Sequence, residues 1–293
     1  MKKWSEIIIE KLLALSAGIT ILTTLGIIWV LFSESIHFFS EVSVFDFLTD
    51  LEWRPSDDRD PHFGVMVLLS GTLLTTIIAV LIAVPMGLVI AVYLREYAPD
   101  NIRRILKPML ELLAAVPTVV YGYFALSVLT PFLRNFLPEM PLFNALSAGM
   151  VMAIMILPII SSLSEDALNA VPKVLREASY GLGATTFQTA FKVVIPSASS
   201  GIMVSIILGI SRAIGETMIV AMAAGTKPQL TLNPLESVMT ITTYMAETAS
   251  GDVEFGSIRY QSIFAVGITL FVFTFILNSI SFYIKRKYHA QYE

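Results

Sequence analysis

The sequence predicts an all-α membrane protein with six transmembrane helices, and three observations carry that prediction. Hydrophobic residues make up 55% of the 293-residue chain and charged residues only 14%, with a mean hydropathy of +0.75. Both figures lie outside the range of soluble domains. Apolar runs close to the ~20 residues that cross a bilayer recur six times. The charged residues collect between those runs, except for Glu111 at the start of the third and for Arg212 and Glu216, which fall near the middle of the fifth. The net charge of −4 is small and gives no sign of a nucleic-acid partner, and the absence of cysteine excludes disulfides and thiolate metal sites. His37, His62 and His289 are too scattered in sequence to suggest a metal site.

The runs fall at about 12–32, 66–94, 109–130, 144–163, 201–224 and 261–284, and the whole chain, 1–293, reads as one membrane domain without repeats or low-complexity tracts. The first is followed by SESIHFF and by no small-residue cleavage site, so it reads as a retained span. Pro85 and Pro158 lie inside the second and fourth, and Pro117 near the start of the third. Each proline either frees carbonyls that neighbours or water then satisfy, or simply kinks a helix for packing.

The fifth run, GIMVSIILGISRAIGETMIVAMAA, holds its only two charges near its middle. Their spacing of four residues predicts one helix face, one turn apart. A charge at a helix centre costs about 2.5–3.5 kcal/mol on insertion scales. The pair therefore predicts a wet ion or solute pathway; the alternative is a self-neutralising pair that joins helices. Ser211 and Thr217 beside it offer further hydroxyl donors, or else bond their own helix or a neighbour. Arg134 faces either an external vestibule or a solvated rim.

Basic residues set the orientation. With the N-terminus in the cytoplasm, thirteen of the 19 lysines and arginines lie inside (Lys2, Lys3, Lys11, Arg95, Arg103, Arg104, Lys107, Lys173, Arg176, Lys192, Lys285, Arg286 and Lys287). Five lie outside: Arg54, Arg59, Arg134, Lys227 and Arg259. The positive-inside rule then predicts both termini in the cytoplasm. Residues 33–64 become an external loop with eight acids, Asp58 among them, and two arginines. Its aromatic residues, including Phe38, Phe39, Phe45, Phe47 and Trp53, predict packing at the interface. Residues 225–260 form a second external excursion.

The cytoplasmic segment 164–200 predicts two short helices at an angle. Pro172 suits a first helical position, and Leu175, Ala178 and Leu182 form one apolar side. Gly181 and Gly183 end that helix, and Thr185 or Thr186 caps a second one that stops near Pro196. The spelling of this segment is Glu177-Ala178-Ser179, three residues, Gly183, nine residues, then Val193-Val194-Ile195-Pro196. It resembles the EAA loop of ABC importer permeases, with Ser179, Val193 and Ile195 as conservative departures. That resemblance implies a type I ABC importer permease (MetI-like) fold in a prokaryotic cell membrane, with Glu177, Ala178, Ser179 and Gly183 contacting an ATPase subunit. The chain has no G-x-x-x-x-G-K-[ST] phosphate-binding loop, so ATP hydrolysis is expected of a partner.

Five further stretches narrow the resemblance: Trp53-Arg54-Pro55 with Phe63-Gly64, Gly71-Thr72-Leu73, Pro85-Met86-Gly87, Pro117 to Gly122, and Ser211 to Thr217. From about residue 10 to 285 they are similar to phosphate-specific transport (Pst) permeases of the PstC type. The resemblance implies import of inorganic phosphate with a PstA-like second permease, a PstB-like ATPase dimer and a PstS-like binding protein, without a cofactor. It places Arg212 and Glu216 in the substrate pathway. Arginine stays charged and its planar fork matches a tetrahedral oxyanion, while Glu216 would hold Arg212 between substrates. Sulfate or molybdate in the same architecture, an ion-gradient secondary transporter and a signalling scaffold remain alternative readings.

The orientation has a direct test. Single cysteines at Ser56 and Asn233 are expected to react with an impermeant thiol reagent added outside intact cells, and one at Thr186 is not. Outside labelling at Thr186 reverses the orientation.

Overall fold

The computed structural model describes residues 4–57 and 59–289. Lys2, Lys3 and Asp58 lie outside these, as do the side chains of Lys285, Arg286 and Lys287. Helix α1 (Trp4–Glu41) leads into a short α2 (Val44–Thr49) and a two-stranded hairpin, β1 (Trp53–Arg54) with β2 (His62–Phe63). Helix α3 (Val65–Val92) runs on into a π-helical turn, Tyr93–Tyr97. Next come α4 (Asp100–Ala115), α5 (Thr118–Phe124), a π turn at Ala125–Leu129, α6 (Thr130–Arg134) and the long α7 (Ala145–Ala170). The remainder is α8 (Lys173–Gly181), α9 (Thr186–Thr189), a π turn at Ala190–Val194, α10 (Ile195–Ser197), α11 (Ser199–Ile214), α12 (Met218–Ala223), α13 (Ile241–Ser250) and α14 (Ile258–His289).

Among the described residues, four single helices are long and apolar enough to cross a membrane, within α1, α3, α7 and α14. The number becomes six if each of two bent helix pairs counts as one span. Two expected spans are thus not single helices. The 109–130 run is split by a 90° bend between α4 and α5. Pro117 lacks an N–H and forces Val116 into extended backbone, φ −64° and ψ 129°, so helix cannot pass that point. The 201–224 run breaks at Gly215–Thr217, and α11 also meets the α9–α10 segment at 72°. Glycine is the poorest helix former after proline, and Glu216 turns its carboxylate onto the start of α12. By contrast, α3 and α7 run through Pro85 and Pro158 as unbroken helix. Helix α7 also reaches Ala170, seven residues beyond the expected end at 163.

The supposed loop 33–64 is largely structured. Helix α1 continues through it to Glu41, and Phe38, Phe47, Trp53 and Phe63 pack edge-to-face into a core with Tyr244. Phe45 is the exception and stays exposed. Among the described residues, the small hairpin is the one addition to an otherwise all-α architecture.

Helix α7 is the centre. It packs along α3 and α11, and also meets α4, α5 and α12. Small residues permit this: a Cβ on Gly149 of α7 would lie 2.6 Å from Ile78 of α3. Ile160 of α7, fully buried, enters a notch made by two glycines. A Cβ would lie 2.9 Å from it on Gly87 of α3 and 2.7 Å on Gly209 of α11. Ser164 and Ser205 add a 2.6 Å hydroxyl contact between α7 and α11. At its start, α7 is capped by Asn144, whose side chain accepts from Ser147 N–H at 2.7 Å. The loop after α12 brings the carbonyls of Pro234 and Glu236 to the N–H groups of Leu146 and Ala145. Donors that a helix start leaves open are thereby satisfied.

Gly71 shows how tight the packing is, since a Cβ there would fall under 3.0 Å from the Met239 carbonyl, which is backbone and cannot step aside. Gly71→Ala is expected to destabilise the purified protein by about 1–3 kcal/mol, read as a lower melting temperature. Gly181→Ala, whose Cβ meets nothing within 4 Å, is expected to leave that temperature unchanged.

Candidate functional site

The break after α11 changes the geometry of the charged pair. Arg212 lies on the last turn of α11, and Glu216 lies just beyond the helix, so they do not share a helix face as expected. Their closest approach is 3.9 Å, between Arg212 Nη2 and Glu216 Oε2. The Glu216 side chain is 3% exposed and that of Arg212 is 49% exposed. Glu216 Oε1 accepts from the N–H of Met218 at 3.0 Å and of Ile219 at 3.4 Å, capping α12. A carboxylate is stabilised there by the open donors and the helix dipole. The Glu216 carbonyl accepts from Thr242 Oγ1 of α13 at 2.7 Å, so the break is pinned from a second side.

Arg212 is held much less. Among the described residues it donates no hydrogen bond of ordinary length, and its contact with Glu216 is at the limit of an ion pair. A guanidinium carries five N–H donors, and here they point to a surface of the chain. Ser211 does not share this freedom, because its hydroxyl donates to Asn278 Oδ1 of α14 at 3.1 Å. Thr217 is half-buried at the start of α12. Arg134 is exposed at the end of α6.

The second cluster lies at the other end of α3. The α8–α9 turn is a Schellman closure: Gly183 N–H donates to Tyr180 O at 2.9 Å and Ala184 N–H to Ser179 O at 3.2 Å. Gly183 has φ +82°, the left-handed region that favours glycine. Thr185 and Gln188 form the reciprocal box that opens α9. Ser179 meets Thr189 through a 2.9 Å hydroxyl contact, tying the two short helices together. Glu177, Ala178 and Gly183 are exposed, as are Val174 and Leu182, the latter 90% exposed. The apolar side of α8 therefore faces away from its own chain.

Arg176, beside Glu177, is the residue that spacing did not single out. It is buried and donates to the carbonyls of Leu168 and Val171, both at 2.7 Å, at the end of α7. It also pairs with Glu96 in the π turn after α3 at 3.2 Å. Nearby, buried Glu165 of α7 accepts from Arg103 Nε at 3.0 Å and meets Lys107 at 3.2 Å. The charged partners lie 58 to 80 residues apart, beyond the reach of any local spacing.

A bent-helix bundle with an exposed two-helix loop is the frame of a permease, and the family to which the chain belongs makes it a permease subunit of an ABC importer. The chain belongs to the family of binding-protein-dependent transport system inner membrane components, which residues 83–290 match. It is a multi-pass protein of the bacterial inner membrane. It is 39% identical over 235 residues to the probable ABC transporter permease protein YqgH of Bacillus subtilis, covering 80% of this chain and 75% of that one. It is 36% identical over 296 residues to the phosphate transport system permease protein PstC of Mesorhizobium japonicum, covering 94% and 89%. The fold is shared with a bacterial alginate ABC transporter at TM-score 0.66 and 17% identity, covering 98% of each chain. It is also shared with the MetNI methionine ABC transporter at TM-score 0.57 and 18% identity, covering 77% and 94%.

The positive φ at Gly183 yields a prediction. Gly183→Val, a β-branched residue in the left-handed region, is expected to cost roughly 1–2 kcal/mol, to open the turn and to weaken co-purification of an ATPase subunit. Gly183→Asn, which tolerates that region, is expected to retain co-purification. Equal capture by both variants would separate the turn from docking.

Proposed function

We propose that this chain is the PstC-type permease of an ATP-driven importer of inorganic phosphate. The observation that carries the reading is Arg212, half-exposed with free donors, next to a Glu216 that is buried and already bonded to α12. A fixed guanidinium offsets the cost of bringing an oxyanion into a low-dielectric passage. The same Glu216, held by backbone donors, limits how tightly the anion is retained. The relatives named PstC support phosphate over sulfate or molybdate, which one arginine does not distinguish by shape. Family membership leaves the ion-gradient reading without support.

In this reading Arg212 and Glu216 form the substrate pathway with Thr217 at its side, and Ser211 joins α11 to α14. Glu177, Ala178, Ser179 and Gly183 belong to the contact with a PstB-like ATPase dimer. A PstA-like permease completes the pathway on the surface that Arg212 faces, and a PstS-like protein delivers phosphate from outside. Counting each bent pair as one span gives six and puts both termini on one side, which the distribution of basic residues assigns to the cytoplasm.

Uptake per assembled complex tests the reading. Arg212→Gln is expected to lower phosphate uptake about 100-fold, equivalent to ~2.7 kcal/mol. Glu216→Gln is expected to bind phosphate more tightly and release it more slowly. The double variant is expected to stay inactive. Recovery of transport in the double variant, as for a purely structural pair, would remove Arg212 from the pathway.

A further inference from the structure

A cavity of about 620 Å³ opens at the hairpin end of the bundle, lined by β1 and the turn after it, by α13 and by the first turn of α14. Three of the five basic residues assigned to the outside, Arg54, Arg59 and Arg259, line it, although some 200 residues separate the first two from the third. Arg54 and Arg59 are also the only lysines or arginines in the acidic segment 33–64. Arg54 is engaged by Glu52. Among the described residues, neither Arg59 nor Arg259 has an ion-pair partner, and Arg259 Nε is buried without a hydrogen-bond acceptor.

The walls are built, not incidental. Trp53 packs edge-to-face on Tyr244 at 4.8 Å, and Tyr244 reaches Ser262 of α14 at 2.6 Å, so hairpin, α13 and α14 hold one another. Asp57 and Glu247 also line the cavity. Burial raises the pKa of the Glu247 carboxyl from its ordinary value. The cavity is close to the break in the charged run: Thr242, which holds the Glu216 carbonyl, lies five residues before Glu247 on α13, about 7.5 Å of helix.

We propose that this cavity is a reception site for a tetrahedral oxyanion, with Arg259 and Arg59 as its ligands. Its volume exceeds that of a bare anion, so the anion is met with part of its hydration shell and held weakly. An acidic outer surface otherwise repels an anion, and two unpaired guanidinium groups reverse the sign of the field at this one place. The proposal rests on the phosphate reading for the identity of the anion and deepens it by naming where the anion waits before Arg212.

The test uses the assembled complex in nanodiscs. Ser56 lines the cavity and the chain has no cysteine of its own, so Ser56→Cys gives one label position on this chain. A neutral maleimide-polyethylene glycol measures its reactivity. Inorganic phosphate is expected to slow labelling saturably, sulfate to do the same, and chloride at equal ionic strength to have no effect. Arg259→Gln, or Arg59→Gln if the first fails to assemble, is expected to raise the half-protecting concentration about tenfold, while Arg259→Lys restores part of the protection. Arg212→Gln is expected to leave protection intact. Labelling indifferent to every oxyanion overturns the proposal, as does protection that requires a docked, unliganded binding protein, which would assign the arginines to a protein carboxylate. Protection without phosphate uptake instead overturns the transport reading.

Discussion

Lipid gives one apolar helix no hydrophobic reason to leave it for another, so a membrane bundle is held by closeness of fit. Ile160 is where that fit joins three helices at once. Its side chain occupies a notch between Gly87 and Gly209, and the three helices that meet there carry the rest of the chain. Helix α11 places Arg212, α3 carries the hairpin at one end and Glu96 at the other, and α7 ends at the carbonyls that hold Arg176. A larger residue on either glycine would separate these helices and misplace both functional clusters together.

The charges follow a related economy. Glu216 is buried, and burial of a carboxylate is tolerable only when donors replace its water. The break in the fifth run supplies them by exposing the first N–H groups of α12. An unbroken helix would have left those N–H groups bonded within itself. The interruption therefore lets an acid stay buried without drawing Arg212 into a close pair, and leaves a half-exposed cation beside a carboxylate held by backbone donors.

The membrane class, the approximate positions of the apolar runs and the α8–α9 turn were legible in the sequence, because each rests on local rules: run length, a glycine that ends one helix and a threonine that caps the next. The breaks were not. Arg212 and Glu216 satisfy the one-turn spacing rule, and nothing within the run says that Gly215 will end the helix while Gly209 will not; the difference is that Gly209 faces Ile160. Pro117 was visible, but a right-angle bend and a packing kink look alike in sequence. Arg176 was invisible for another reason. Its partners come from the ends of α3 and α7, and only the assembled bundle brings them to one side chain.

That side chain has a mechanical meaning. Arg176 ties a helix with an exposed apolar side to the last carbonyls of α7 and to a carboxylate at the end of α3. A pull on α8 is thus carried by a rigid planar group to two helices at once, besides the backbone link at Pro172. Glu96 sits in a π turn, where the helix is wound one residue looser than α. Such a turn can tighten or loosen without unfolding, so the strut ends in a compliant joint on α3 and a stiff one on α7. A displacement beneath the membrane would reach the two helices unequally and emerge as a shear between them, along the surface where Ile160 sits.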